Sequence, residues 1–212
     1  MYYAEMDLDK HIRKKFFPDL SYKGIMVDVG AGPPTFINNS KHFRETGWRT
    51  ISVEPNPKFV LQHKAENSEV YQYACANFDG VSEFTINLNS DGHYSEENDG
   101  VSFSAIELRI NSYMEIPPHN KQQIITVDVI TLNTLLQKLK IDHVDLLTID
   151  VEGWELDVLE GFDQIKYNPK VIVLEILGNY NREKYLQFMK RIGFYVDSTI
   201  KDNTVFVNSN YK

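Results

Sequence analysis

The sequence has few of the residues on which several common protein classes depend. Its 212 residues include a single cysteine, Cys75, which excludes an internal disulfide framework and a metal site built from several cysteines. Apolar runs such as Val171-Ile172-Val173-Leu174 fall far short of the roughly 20 residues of a membrane-spanning helix. The amino terminus lacks the basic and then apolar pattern of a signal peptide. We therefore expect a cytoplasmic protein with no membrane partner.

Positive charge is also scarce. The chain has 22 Lys and Arg residues against 30 Asp and Glu residues, which gives a net charge of −8. Proteins that bind phosphate backbones draw much of their affinity from clustered Lys and Arg. The densest basic stretch here, His11-Ile12-Arg13-Lys14-Lys15, is short and suits a solvated helix face. We therefore expect no nucleic-acid partner.

What the sequence does contain is an alternation of apolar strands and helices. Strand-like segments rich in apolar and β-favouring residues lie at 24–29, 48–53, 70–74, 144–149 and 171–176. Helical segments are predicted at 36–46, 57–65, 132–140, from Trp154, and from an Asn181 cap to Gly193. A polar turn at 201–203 joins 194–200 to 204–207 and predicts a hairpin. The alternation predicts an α/β fold with a doubly wound parallel sheet in one domain over 1–212, with residues 1–22 as an N-terminal helical extension.

Glycines follow the first strand at the point where it turns towards a helix, in Asp28-Val29-Gly30-Ala31-Gly32. Glycines at such a turn let the backbone bend sharply and approach a ligand, and open amides at a helix start favour anionic groups. The segment departs from a dinucleotide fingerprint, because Thr35 stands at the position of its last glycine. Alone, the motif fits a structural tight turn as well as a ligand site.

A carboxylate at the end of the second strand favours a ligand site. Glu54 lies 24 residues beyond Gly30, close to the roughly 20 expected for an acid that binds ribose hydroxyls. A carboxylate can accept hydrogen bonds from both hydroxyls at once. Asn56 and Pro57 then predict the start of a helix. The alternative is an exposed acid at a strand end.

Two more carboxylates, Asp150 and Glu152, follow the fourth strand. Residues two apart in an extended segment point to the same side, so both should converge beyond the carboxyl edge of the sheet. They could hold an ammonium group, bind a metal ion or accept a proton from a substrate hydroxyl. The alternative is that Glu152 caps the next helix. That helix is predicted to expose Glu155, Asp157 and Glu160.

The segment 83–123 interrupts the alternation. Phe84–Leu88 could form an extra strand, whereas 89–100 is polar, acidic and contains glycine. A loop of this length inside a compact domain is more often functional than idle, so the segment is predicted to be a substrate-side insertion, with a disordered surface segment as the alternative.

The six histidines have no metal-ligand spacing. His93, inside the insertion, is a candidate base because its charge can change near neutrality.

Taken together and in this order, the motifs resemble those of the FkbM-type methyltransferases. The resemblance extends from about Lys23 to Leu177 and is carried by VDVGAG (27–32), VEPNP (53–57) and LTIDVEGWELDVLEG (147–161). It implies a Rossmann-like class I methyltransferase fold, with a mostly parallel seven-stranded sheet, helices on both faces and a C-terminal antiparallel hairpin. It also implies S-adenosylmethionine (SAM) as cofactor. The chain departs from the family pattern at Pro33-Pro34, in place of a third glycine, and at Thr148, where many relatives carry lysine.

The resemblance also implies which residues form the site. The cofactor-binding residues would be Asp28, Gly30, Ala31, Gly32, Glu54, Pro55, Ala76, Asn77 and Asp150. The glycine turn would bind the methionine carboxylate of SAM, the acid beside it the ammonium, and Ala76 with Asn77 the adenine, although Asn77 also fits a turn. The catalytic candidates are Asp150, Glu152 and His93. Ser102-Phe103-Ser104 and Glu175 are expected only to lie near the substrate pocket.

The sequence thus predicts a SAM-dependent methyltransferase acting on a hydroxyl of a small molecule or sugar. The sulfonium already activates the methyl group, so the protein mainly aligns the reacting atoms. A divalent metal is compatible with the carboxylates, but no metal-binding motif supports one. One alternative is an NAD-dependent oxidoreductase, because Glu54 would suit its ribose, although the missing glycine, the carboxylate pair and the hairpin argue against it. The other is a non-catalytic SAM-binding interaction domain.

Overall fold

The structure, a computed structural model, describes residues 1–88, 104–105, 121–176 and 182–211. Its strands are β1 (Ile25–Val29), β2 (Arg49–Val53), β3 (Val70–Tyr71), β4 (Ala74–Cys75), β5 (Gly80–Leu88), β6 (Ser104–Ala105), β7 (Lys121–Ile130), β8 (Leu146–Ile149), β9 (Val171–Glu175), β10 (Phe194–Ile200) and β11 (Asn203–Asn208). Its α-helices are α1 (Leu8–Phe16), α2 (Lys41–Glu45), α3 (Pro57–Ala65), α4 (Leu132–Lys138), α5 (Glu155–Glu160), α6 (Gln164–Tyr167) and α7 (Arg182–Arg191). The predictions for His93, Ser102, Phe103 and Asn181 lie outside the described residues.

The main sheet has seven strands in the order β10-β11-β9-β8-β1-β2-β3. Its pairs from β9 through β8, β1 and β2 to β3 are parallel, whereas β11 pairs antiparallel with both β9 and β10. The predicted sheet with its C-terminal antiparallel hairpin is therefore confirmed. No helix among the described residues is long and apolar enough to cross a membrane.

Apolar side chains cover both faces of this sheet, as a mostly parallel sheet requires. On one face the strands pack against Leu132, Leu135 and Leu136 of α4, against α5 and against α7. On the other face they pack against α1 and α2, which contribute Leu8, Ile12, Phe16 and Phe43. Because side chains alternate along a strand, Val27 and Val29 lie on the first face and Met26 lies on the second.

A second sheet, in the order β4-β7-β5-β6, contains the possible extra strand Phe84–Leu88 as part of β5. The role of 83–123 as a substrate-side insertion stays a prediction. Strands β5 and β7 pair antiparallel from Gly80↔Val129 to Leu88↔Lys121, so both ends of that segment are regular structure. One face of this sheet packs on Trp154 through Phe84, Ile86, Val127 and Val129. The alternation of these apolar residues with polar ones is the signal of a half-buried strand.

Three local predictions had mixed outcomes. The caps of α3 and α4 are confirmed: Asn56 Oδ1 accepts from Lys58 N at 3.0 Å, and Thr131 Oγ1 from Thr134 N at 3.1 Å. The helix predicted from Phe36 begins only at Lys41, because Ile37 has a left-handed backbone with φ of 45°. The predicted third strand, 70–74, is divided between β3 and β4, which belong to different sheets.

Candidate functional site

The carboxyl ends of β1, β2 and β8 meet at one point. Gly30 N donates to Val53 O at 2.9 Å, and Asp150 N donates to Val29 O at 3.0 Å. Gly30 has φ of 75°, and a Cβ added there would lie 1.7 Å from Asp150 O. Only glycine lets these two chain segments approach so closely. Gly30 is therefore explained by packing between the strand ends.

Gly32 differs from Gly30, although it also has a positive φ, of 56°. A Cβ added at Gly32 would meet no atom within 4 Å, so open space lies beside this residue. Its amide donates to Glu54 Oε2 at 2.9 Å, and the amides of Gly30 and Ala31 both donate to Val53 O. All three amides thus donate hydrogen bonds within the protein. They are not the open donors that the glycine motif predicted.

Glu54 is almost fully buried, at 5% exposure. Besides the Gly32 amide, its carboxylate accepts from Asn56 N, 2.8 Å from Oε1. Burial raises the pKa of Glu54 to about 7; the two amide hydrogen bonds lower it, and the charges of Asp28 and Asp150 raise it further. Glu54 is consequently held rigidly beside the open space at Gly32, with a charge that titrates near neutrality.

The other predicted cofactor residues differ in their exposure. Pro55 and Ala76 are buried, and Ala76 packs in the cluster around Trp154. Asn77 is exposed and donates from Nδ2 to Glu160 Oε2 at 2.9 Å. Cys75 is buried, and burial raises the pKa of its thiol far above neutrality, so the thiol is unsuited to nucleophilic chemistry.

Asp28 lies inside the molecule on the face covered by α1 and α2. The hydroxyl of Thr148, which occupies the position where the resemblance suggests lysine, donates to Asp28 Oδ1 at 2.6 Å. Asp28 Oδ2 is buried and has no hydrogen-bond partner among the described residues. Burial raises the pKa of Asp28. The residue therefore keeps one unused acceptor atom next to the glycine turn.

Asp150, Glu152 and Glu175 form an acidic trio, with one oxygen atom of each within 4.8 Å of the others. All three side chains are half-buried, yet Glu152 Oε2 and Glu175 Oε2 are buried atoms without a hydrogen-bond partner among the described residues. No ion pair joins the trio to a basic side chain in the described part of the chain. Burial, followed by the negative charge of Asp150, raises the pKa of both Glu152 and Glu175. A metal ion or an ammonium group would fit this arrangement.

Asp150 and Glu152 do lie close together, as predicted, but the backbone between them differs from the extended segment that was expected. The segment is a turn and is not extended, and Glu152 has a left-handed φ of 56°. Glu175 joins the pair because β8 and β9 are parallel and in register, with Ile149 opposite Leu174. Asp150 directly follows β8, and Glu175 is the last residue of β9. A carboxylate directly after four apolar residues of β9 was the sequence signal for this third member.

Glu155 was wrongly predicted to be exposed, since it is only 2% exposed. Its Oε1 accepts from Val151 N at 3.2 Å and from Gly153 N at 3.0 Å, and its Oε2 accepts from the Tyr185 hydroxyl at 2.7 Å. These bonds bracket the turn that carries Glu152. In the same helix, Asp157 is half-buried and Glu160 is exposed. Helical spacing alone could not show that α7 covers Glu155.

A mostly parallel sheet with a glycine turn after its first strand and acids at the ends of neighbouring strands is typical of a Rossmann-like domain, in which ligands bind at the carboxyl edge. The family model described as Methyltransferase FkbM domain matches residues 28–196. The chain therefore belongs to the FkbM methyltransferase domain family.

Two further comparisons give the relation of the chain to known proteins. Among solved structures, methyltransferase FkbM from Methylobacillus flagellatus KT is similar, with 14% sequence identity and a TM-score of 0.49. The match covers 91% of this chain and 46% of that chain, so this protein spans about half the length of that relative. No curated protein matches the sequence significantly.

Proposed function

We propose that this protein is a SAM-dependent methyltransferase whose acceptor is a hydroxyl group of a small molecule or sugar. One observation carries the proposal: three buried carboxylate oxygens, Asp28 Oδ2, Glu152 Oε2 and Glu175 Oε2, have no hydrogen-bond partner among the described residues. Such atoms are costly to leave unpaired, and they favour a ligand that brings positive charge. SAM brings an ammonium and a sulfonium.

The same electrostatics disfavour NAD. A dinucleotide carries an anionic pyrophosphate, which Rossmann enzymes bind with free amides at the glycine turn. Here the amides of Gly30, Ala31 and Gly32 donate to Val53 O and Glu54, and the acidic trio lies at the same edge of the sheet. A pyrophosphate would therefore find neither free donors nor positive charge at this turn.

The residues that would hold SAM follow from their chemistry. The open space beside Gly32 admits a ligand against the backbone, and the Glu54 carboxylate suits the ribose hydroxyls. Asp150, with Asp28 behind it, suits the ammonium group. Pro55 and Ala76 offer apolar walls, and Asn77 offers a polar group for the adenine. In this role the glycine turn supports Glu54 and leaves room for the cofactor.

Bound SAM supplies an activated methyl group, so the protein has to orient the acceptor and remove its proton. Glu152 is the base that we propose. Burial and the charge of Asp150 raise its pKa to about 9 in the free protein, and the positive charge of bound SAM would lower that pKa and favour the ionised form that accepts a proton. Glu175 lies beside Glu152, and its own raised pKa favours a protonated carboxyl group there until a positive charge binds. His93 remains a second candidate base. A divalent ion bound by the trio is the alternative way to orient an acceptor hydroxyl.

Cofactor choice can be tested by calorimetric titration of the protein with SAM, with its demethylated product S-adenosylhomocysteine and with NAD. We expect the first two to bind and NAD not to bind. Gly32→Ala should abolish SAM binding, because its methyl group enters the open space. Gly193→Ala is the matched control: it has φ of 86° and its Cβ would lie 3.6 Å from Ser209 Oγ, so it has a similar backbone strain of about 1 kcal/mol away from the site. Binding of NAD alone would overturn the proposal.

The roles within the trio can be tested by methyl transfer from labelled SAM to a panel of hydroxyl compounds. Asp150→Asn should weaken SAM binding and lower the rate. Glu152→Gln should lower the rate, by roughly 100-fold as for a lost general base, with SAM affinity nearly unchanged. Activity that disappears with a chelator and returns with a divalent ion would favour the metal alternative. Wild-type rates in both variants would exclude Asp150 and Glu152 from catalysis.

A further inference from the structure

His63, on α3, is a completely buried histidine that none of the roles above uses. Its Nε2 lies 2.9 Å from Gly32 O, and its Nδ1 lies 3.0 Å from Ser68 Oγ. A carbonyl oxygen only accepts hydrogen bonds, so Nε2 must carry a proton to form the first contact. The second contact then decides whether the ring is neutral.

The surroundings of Ser68 favour the neutral ring. Arg44 Nη1 donates to Ser68 Oγ at 3.1 Å, so the hydroxyl hydrogen of Ser68 is free to point at His63 Nδ1. The direction of donation then runs from Arg44 through Ser68 and His63 to the carbonyl of Gly32. Burial lowers the pKa of His63, the hydrogen bond to Gly32 raises it by less, and the positive charge of Arg44 lowers it further. The chain of hydrogen bonds thus fixes the tautomer with the proton on Nε2.

Gly32 is the residue of the turn with the least support of its own. It has no side chain, its φ is positive, and nothing packs where a Cβ would be. Its two peptide groups are held by hydrogen bonds alone: the amide by Glu54 and the carbonyl by His63. The neighbouring carbonyls of Ala31 and Pro33 are both held by Asn38 Nδ2. His63 is thus the described donor that fixes the Gly32 carbonyl.

We propose that His63 is a positioning residue of the cofactor site: it holds Gly32 in the left-handed conformation that keeps the ligand space open and the Glu54 carboxylate in place. The proposal rests on the SAM-binding function proposed above. Without the Nε2 hydrogen bond, the turn would sample other conformations, and SAM would bind only the competent fraction. The effect should appear in cofactor affinity before any chemical step.

Two conservative variants separate this role from simple packing. Glutamine can place an amide nitrogen near the position of Nε2 and still donate to Gly32 O, whereas asparagine can reach only the position of Nδ1, towards Ser68. Both variants remove the same ring from the same buried place. We expect His63→Asn to weaken SAM binding about tenfold, as for loss of one buried hydrogen bond, and His63→Gln to stay within about threefold of wild type.

Calorimetric titration with SAM measures both affinities, and His42→Gln serves as control. His42 is also buried, but its Nδ1 contacts Met1 O instead of the turn, so its replacement should leave SAM affinity unchanged. Equal SAM affinities of His63→Asn and His63→Gln would overturn the positioning role. If the wild-type protein binds no SAM, both the proposed function and this inference are overturned. If it binds SAM and the two variants bind equally, only the inference is overturned.

A measurement on the wild-type protein guards against variants that do not fold. Nitrogen-15 NMR of the labelled protein at pH 7 distinguishes a protonated Nε2 with a bare Nδ1 from the other tautomer and from imidazolium. We expect His63 to show the proton on Nε2 alone. Either other state would contradict the chain of hydrogen bonds on which the inference depends.

Discussion

At the residue scale, the buried carboxylate of Glu54 links cofactor binding to pH. Its pKa of about 7 results from burial, which outweighs two amide hydrogen bonds. A carboxylate accepts stronger hydrogen bonds from the ribose hydroxyls than a protonated carboxyl group does. SAM should therefore favour the ionised form of Glu54. Ligand binding and proton release are therefore coupled at this residue.

This coupling predicts a pH-dependent affinity. With a pKa of about 7, the ionised fraction of Glu54 rises about tenfold from pH 6 to pH 8, and SAM affinity should rise by the same factor. Titration calorimetry in buffers of different ionisation enthalpy should also detect the released proton. Glu54→Gln, which cannot ionise at this position, is the control: any pH dependence that remains in it comes from other groups. An equal rise in wild type and variant would assign the effect to a different residue.

The position of a residue after a strand made some of the candidate site predictable. Glu54, Asp150 and Glu152 were found because each follows an apolar strand, and the carboxyl ends of parallel strands share one edge of the sheet. Glu155 and His63 gave no such signal. Their partners, Tyr185 for the first and Gly32 with Ser68 for the second, lie on other elements and become neighbours only through packing. The acids at strand ends could therefore be predicted from the sequence, whereas Glu155 and His63, which hold the neighbouring turns, could not.

At the scale of elements, the turn between β8 and α5 depends on Glu155. The turn contains Glu152 in a left-handed conformation, which costs about 1–3 kcal/mol for a residue other than glycine. Glu155 offsets this cost by accepting from the amides on either side of Glu152, while Tyr185 of α7 holds its other oxygen. One buried side chain thus connects the turn, α5 and α7.

Glu155→Ala should therefore lower the free energy of unfolding by about 3 kcal/mol, because two buried amides lose their acceptor. Glu155→Gln keeps an oxygen for both amides and should cost less than about 1 kcal/mol. Urea unfolding measures both values. Glu183→Ala, an exposed glutamate on α7, is the matched control and should change stability by less than about 0.5 kcal/mol. A loss in Glu155→Gln as large as in Glu155→Ala would mean that the charge is what matters.

Elements were predictable where local signals were strong. Strands β8 and β9 of the main sheet are nearly all apolar. The caps Asn56 and Thr131 have side chains that bond to the helix start. The pairing of β5 with β7 was missed because it joins residues far apart in sequence, such as Gly80 with Val129. Such partners are not visible in a local window, and β propensity depends strongly on the partner strand.

At the scale of the whole molecule, the proposed cofactor lies where β1, β2 and β8 meet, so its binding should stabilise the entire fold. A ligand that binds only the folded state, at about 100 times its Kd, adds about 2.7 kcal/mol. For a domain of this size we expect SAM to raise Tm by about 5–10 °C. Thermal unfolding followed by circular dichroism measures the shift, with NAD at the same concentration as control. Equal shifts for both ligands would argue against selective SAM binding.

The position of β11 has a consequence for the order in which the molecule is completed during synthesis. β11 lies between β9 and β10, and its Asn203 stands opposite Glu175, while Ile176 N donates to Asp202 O at 2.8 Å. The ribosome makes β9 well before β11, so β9 is an open sheet edge until the hairpin has emerged and docked. Glu175 gains its neighbouring strand only then. The acidic trio is thus assembled in its final surroundings only after β11 has docked. A chain arrested before β11 would have a nearly complete sheet with Glu175 still at its edge.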